Sequence, residues 1–556
     1  MKEKFIKIFP FLLILCLLFG MVACKENDSS GPSDSTEPAE QDPYELNLAD
    51  DDFTYFESFK MNENRHLKVF GYNVERGLSG SDILAGAAIQ GLFAQTAAEY
   101  YCSGSYHHSM WLNEICKEYG LTTENVTIAQ MVEDYKTRFG ENAGYILYNR
   151  SQNGESKNVA VTICGVEGWI PVDASVEQKY IDLGLTKKLD VTDKNDRWCF
   201  ENYKDKLNNS GLCQLAGGVE MMCDYAIACK YYSFYQSKET LEALQLRGEV
   251  HEWTKTDSPV FGWGPIDETS HVNVSSMNGN FTIASDWSAN LSVFSCTEFF
   301  GVKQLKQMVQ YERKEVENKH YVCIVCSDGD NIQALSNTLS PDASKKYFAA
   351  ERADFPMGWN ISPSAIDIQP ALQRYIYNQI GSAGDYLVAA VSGQGYINPS
   401  VYPDLSDFCG RLATYLKRGD LTTLQILDTC VTEDVVEYYS RVPGLLGVQC
   451  MIGDYYAAEK GSVYWSENGM PLVTCRLSLW EPETGASIAE KINNFPVNPR
   501  SIEGYTLVNL HPWSRDYSDA VEMYQNLDDD VEIVTAEQFF QLIRENVPHV
   551  NVSLKG

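Results

Sequence analysis

The chain has 556 residues, enough for two or three domains, and 44% of them are hydrophobic, which suits a protein with real cores. Its formal charge of −32 repels nucleic acid and anionic lipid head groups and disfavours a polyanionic substrate. The 33 Tyr and 10 Trp fill a core or, at a surface, stack on sugar rings.

Residues 1–24 read as a targeting segment. Lys2, Lys4 and Lys7 give a positive start, and Phe9–Leu18 is an apolar run too short to span a bilayer. Met21-Val22-Ala23-Cys24 resembles a lipoprotein signal box, with Met21 where Leu is more usual. That implies cleavage before Cys24, lipidation of its thiol, and a cell-envelope location anchored to the outer membrane. Lys25-Glu26-Asn27-Asp28 resembles the acidic tag of surface-exported lipoproteins. Residues 25–50 hold almost no large apolar side chains and read as a disordered tether. Lipid is thus the expected membrane contact; oligomeric state is not legible.

Residues 51–300 read as an N-terminal mixed α/β domain. Strands are predicted at His66–Val74, Gly144–Tyr148 and Pro259–Trp263. Helices are predicted at Asp82–Ala98, Met110–Tyr119, Ile128–Phe139, Arg197–Leu207 and Tyr225–Gln236. The Gly-, Ser-, Asn- and Trp-rich stretch Phe261–Cys296 reads as a long functional loop at a domain seam. Of 16 Cys, two lie in the leader; the rest show no disulfide framework, and many sit in apolar runs as buried thiols. Cys323 and Cys326 match C-x-x-C, but in a strand an offset of three puts them on opposite faces.

Residues 301–556 repeat one unit, an apolar run followed by a helix-like segment. The runs are Tyr321–Ser327, Gly358–Ser362, Tyr386–Ser392, Leu424–Asp428, Leu445–Ile452, Leu472–Trp480, Tyr505–Leu510 and Val531–Thr535. Strands alternating with helices imply parallel pairing, and about eight units over roughly 235 residues fit a TIM-like (β/α) barrel of seven or eight units. Chemistry then sits where strands end. Those ends carry Asp328, Asp330 and Asn331; Trp359 and Asn360; Gln394 and Tyr396; Asp428; Asp454; Glu481; and His511 and Trp513. Asp328 and Asp330 flank Gly329, which permits a sharp turn. Two close carboxylates split their pKa values, so an acid and a base coexist, or they bind a metal. As a capped turn they would have no chemistry. Glu481 is a third carboxylate candidate, or else a solvated loop residue. Asp286, Trp287 and Asn290, in Ser285-Asp-Trp-Ser-Ala-Asn290, reach over the barrel mouth or belong to a structural seam.

Gly393, Gly395, Tyr396 and Pro399 form a motif that resembles the GxGYxYP family of candidate glycoside hydrolases, with Asn398 in place of the second Tyr. Other matching segments are Gly91-Leu92, Ser285–Ser292, Ser327–Gln333, Gly358–Pro363 and His511–Ser514. The resemblance implies an N-terminal family domain, a C-terminal barrel and action on a glycan. Asp328, Asp330 and Glu481 would share the acid and base or nucleophile roles, without a cofactor. Trp359, Tyr396 and Trp513 would stack on sugar, and Asn331, Asn360 and Gln394 would bond hydroxyls. Two alternatives stand: a metal-dependent carbohydrate deacetylase with a divalent ion at Asp328, Asp330 and His511, and a non-catalytic glycan-binding lipoprotein.

Overall fold

A computed structural model describes residues 42–237, 240–337, 354–382, 384–453 and 460–554. Cys24, Asp454 and the targeting segment lie outside the described residues. Residues 44–556 form one compact unit. The stretch expected to end the tether packs against helix Leu405–Gly419, where the Asn47 backbone N–H donates to Ser406 Oγ and its side-chain amide to Asp407.

Twenty strands are described. They are β1 (His66–Phe70), β2 (Tyr100–Cys102), β3 (Thr122–Asn125), β4 (Tyr145–Tyr148), β5 (Ile170–Asp173), β6 (Lys187–Asp190), β7 (Asn208–Gln214), β8 (Tyr231–Phe234), β9 (Pro259–Gly262), β10 (Phe281–Ile283), β11 (His320–Cys326), β12 (Gly358–Ile361), β13 (Tyr386–Ala389), β14 (Thr423–Asp428), β15 (Gly447–Ile452), β16 (Val463–Trp465), β17 (Pro471–Thr474), β18 (Leu477–Leu479), β19 (Tyr505–Leu510) and β20 (Val531–Ile533).

The first ten strands build three small parallel sheets, ordered β2-β1-β3, β5-β4-β6 and β10-β9-β7-β8. Two expectations change here. Tyr225–Gln236 splits into helix Cys223–Cys229 and strand β8, because Lys230 adopts a left-handed φ of 59° and ends the helix. The supposed long loop Phe261–Cys296 contains helix Glu268–Met277 and strand β10.

The last ten strands form one sheet, ordered β16-β17-β15-β14-β13-β12-β11-β19-β18, with β20 added against β11. All pairs are parallel except β16–β17. Of the expected TIM-like barrel, the structure shows a curled, mostly parallel sheet. β20 pairs with the first residues of β11 while β12 pairs with its last two, so the final unit adds no full strand of its own. The predicted run Leu472–Trp480 serves two ladders. β17 pairs with β15 and β18 with β19, and between them the Cys475 N–H donates to Cys450 O and the Arg476 N–H to Leu507 O.

Strands β11, β15 and β19 are buried along their whole length, as expected for a parallel sheet covered on both sides. Alternate residues enter different clusters. Val322, Ile324 and Cys326 join the large core, whereas Tyr321, Cys323 and Val325 join a smaller one with Phe539, Phe540 and Ile543 of helix Ala536–Asn546. Cys323 and Cys326 thus face opposite ways, as their spacing predicts. The 14 cysteines from Cys102 to Cys475 are free thiols, and only Cys430 is exposed and Cys116 half-buried.

Candidate functional site

The chain after β11 turns sharply at Asp328, which adopts a φ of 70°; the left-handed backbone falls on this aspartate and not on Gly329. Asp tolerates that region better than most residues, and such outliers gather at functional sites. The turn brings the Asp328 carboxylate to the rim. There it accepts from the Trp513 indole Nε1–H at 2.7 Å through Oδ1 and from the Ser327 hydroxyl at 2.6 Å through Oδ2. His511 Nε2 lies 3.9 Å from Oδ2. The His511 ring lies flat on Trp480, with centroids 3.3 Å apart and 6° between planes. The ends of β11, β18 and β19 thereby meet at one point, as the rim argument requires.

Asp330 is buried, and burial, reinforced by the negative charge of Asp328, pushes its carboxyl up to about 7. A hydrogen bond from Tyr396 opposes this, and Glu268, in the helix Glu268–Met277, adds a smaller push upward. Tyr396 arrives from the loop after β13. Its backbone exchanges two hydrogen bonds with Thr282 of β10, at 2.8 and 2.9 Å. Gly395 makes that contact feasible, since a Cβ there would lie 2.6 Å from the Phe281 ring and 2.9 Å from Thr282 O. The glycine thus serves docking of the loop onto β10, where a close approach to ligand was expected. The Tyr396 ring meets Trp263 edge-on, with centroids 5.3 Å apart.

A second arm comes from the end of β10. Gln333, in the short helix Ile332–Leu335 that follows Asn331, accepts the Trp287 backbone N–H at 2.6 Å and hydrogen-bonds the Asp286 carboxyl. Burial raises Asp286 above the usual carboxylate range against that bond. The Trp287 side chain is 55% exposed and that of Trp513 41%, so two indoles stand open near the carboxylates. Asn331 is half-buried at the start of the helix.

Other predicted residues do different work. Glu481 is exposed on a groove of about 880 Å³ between β18 and helix Gly485–Asn493, lined also by Arg476, Lys491 and Phe495. Asp328, Asp330 and His511 do not line that groove, but Glu481 follows Trp480, which stacks on His511, and its backbone N–H donates to Ser514 Oγ at 3.3 Å. The Trp359 indole is fully buried, donates to Asp385 at 2.7 Å and stacks near Tyr517, so no sugar reaches it. Asn360 points to the other face of β12, where its amide donates to Gln425, which donates in turn to Gln449. Gln394 is buried and donates to the Tyr55 hydroxyl and to Phe408 O. Asp428 ties the segment after β13 to the end of β14, accepting from Ser400 and Thr429. Asn290 bonds the backbone N–H and C=O of Cys102 beside β2 and accepts from Gln90, which makes it a structural clasp.

The metal-ligand alternative finds no support in the geometry. Among the described residues no three His, Cys, Asp or Glu side chains converge as an ion would require. Three participants were missed in the sequence: Trp263, Glu268 and Gln333. Trp263 closes an apolar strand in front of a glycine, the one signal that could have marked it.

Three parts of the chain match known domains. Residues 318–544 match the domain described as "GxGYxYP putative glycoside hydrolase C-terminal domain". Residues 211–296 match the "GxGYxYP third domain" and residues 142–207 the "GxGYxYP_N second domain". No curated protein matches the chain. A crystal structure described as a "putative hydrolase from Bacteroides thetaiotaomicron VPI-5482", solved at 1.25 Å, is similar over 92% of this chain and 98% of its own, with 27% identity and a TM-score of 0.79. The chain belongs to the GxGYxYP family.

Proposed function

We propose that the protein hydrolyses a glycosidic bond at the rim that carries Asp328 and Asp330. Family membership supports a glycoside hydrolase, and the Bacteroides relative carries the description of a hydrolase. One observation carries the mechanism: a buried carboxyl held near pH 7 stands beside a carboxylate already fixed by hydrogen bonds. A carboxyl that holds its proton beside one oriented by hydrogen bonds suits an acid with a partner group. Asp330 keeps its proton up to about pH 7 and delivers it to the leaving oxygen. Asp328, oriented by Trp513 and Ser327, supports the positive charge that develops on the sugar or activates its attacker. Trp287 and Trp513 offer stacking faces to the sugar.

The same reading treats the curled sheet as a closed barrel, with β17 and β18 as two halves of one strand. The hydrogen bonds of Cys475 and Arg476, which pass from β15 to β19, support this. It also anchors the protein to the outer membrane through a lipid on Cys24, for which the support is the leader and the acidic tether. The test is a panel of oligosaccharides and aryl glycosides scored for released reducing ends, with Asp330→Asn and Asp328→Asn beside the wild type. Wild-type release that falls by roughly two orders of magnitude or more in each variant is expected. Release that survives in both rejects the assignment. Tight binding with no release favours a glycan-binding protein.

A further inference from the structure

The third sheet, β10-β9-β7-β8, is parallel, and all four of its strands end on the side from which Trp263, Asp286 and Trp287 emerge. In open parallel sheets, ligands bind outside the carboxyl ends of the strands. Here, among the described residues, that edge holds polar atoms without hydrogen-bond partners. Gln214, the last residue of β7, is 1% exposed, and among the described residues neither its Oε1 nor its Nε2 has a hydrogen-bond partner. Gln236 Oε1, just past β8, and Asp286 Oδ1, just past β10, are in the same condition. Leaving such an atom unsatisfied is costly, so four of them on one sheet edge are not incidental to packing.

The three residues stand at or just past strand ends on one side of the sheet. A Cβ on Gly264 would lie 2.7 Å from Gln214 Oε1, so the amide reaches across the end of β9, and only a glycine fits beneath it. Asp286, from one edge strand, is near enough to Tyr235, after the opposite edge strand, to raise that phenol above its ordinary range, after burial. Trp263, the neighbour of Gly264, touches Tyr396, and Tyr396 bonds Asp330. The edge is therefore contiguous with the proposed catalytic carboxyl.

We propose that Gln214, Gln236 and Asp286 form a sugar-binding subsite, which holds the unit of a neutral oligosaccharide next to the one cleaved. The donor and acceptor character matches hydroxyl groups, which both give and accept hydrogen bonds. An amide offers both roles, the Asp286 carboxyl adds an acceptor, and Trp263 and Trp287 supply apolar faces. The formal charge of −32 disfavours a phosphorylated or sulfated sugar. The inference rests on the glycoside hydrolase reading for its substrate class and adds where the second sugar is held.

The test uses the full-length protein carrying Asp330→Asn to suppress turnover. It is titrated calorimetrically with disaccharides and trisaccharides of glucose, galactose, mannose and xylose, and the titration is repeated after adding Gln214→Met or Asp286→Asn. Each added change should weaken binding of the best ligand about tenfold, the scale of one lost hydrogen bond. Gln214→Met should also leave the melting temperature equal or higher, because it removes an unsatisfied buried amide. Unchanged affinity in both variants overturns the subsite while leaving the Asp330 assignment standing. A lower melting temperature with unchanged affinity marks Gln214 as structural and overturns it too. Failure of the wild type to cleave any sugar, with binding that still depends on Gln214, overturns the catalytic reading and keeps the subsite. Absence of binding to every sugar overturns the subsite.

Discussion

Trp513 donates its indole N–H to Asp328 across 185 positions of sequence, at 2.7 Å and from a largely open side chain. A surface indole held by its polar edge presents its flat face outward, which is how a stacking platform is made rigid. Trp513→Phe keeps the face and loses the bond. It should lower kcat about tenfold with a smaller change in KM and no loss of melting temperature. A change confined to KM would mean that the bond to Asp328 has no part in the chemistry.

The pH dependence follows from Asp330. Its folded pKa of about 7 lies above the ordinary carboxylate value of 3.8. Folding therefore favours the protonated form. The associated stability is full below about pH 4 and is lost as pH rises through about 7. Asp330→Asn has no proton to lose, so its melting temperature should fall less than that of the wild type between pH 4 and 8. Parallel curves would show that Asp330 ionises as a solvated carboxyl does.

Asn290 should matter for folding and not for turnover. Its side chain bonds both backbone groups of Cys102 and accepts from Gln90, all within the core. Asn290→Ala also places alanine at a φ of 63°. We expect a loss of about 2–4 kcal/mol in urea unfolding, the scale for unsatisfied buried groups plus left-handed strain. Folded protein should keep its kcat. A normal unfolding midpoint would remove the clasp from the account.

Membrane attachment is testable separately. Cys24→Ala should move the protein from the membrane fraction to the soluble one. Retention in the membrane with an unmodified Cys24 would contradict lipidation.

Much of the large sheet was legible because its strands are buried on both faces and stand out as apolar runs. Seven of the eight runs that the sequence marks contain a strand pairing in register with its neighbours; the run Leu472–Trp480 contains two. That same double burial hid which residues face which way. In β12, Trp359 and Asn360 read as equal rim candidates, yet period-two alternation sends one to Asp385 and the other to Gln425. Asp328, His511 and Trp513 come together past the strands, where no such alternation applies. The smaller sheets were harder. β7 begins Asn-Asn-Ser-Gly, which no strand propensity favours, so Gln214 was not seen as a strand end. The sequence carries the chain to the rim at Trp480, but it does not say that the Glu481 side chain opens on the groove beside helix Gly485–Asn493.

The most direct measurement of the central claim is the pH profile of kcat/KM on a glycan that the wild type cleaves, set beside that of Asp330→Asn. The account predicts that wild-type activity declines above about pH 7 as Asp330 loses its proton, and that the variant loses at least about a hundredfold in rate together with that descending limb. A variant that retains wild-type rate, or that keeps the same limb near pH 7, would contradict Asp330 as the general acid.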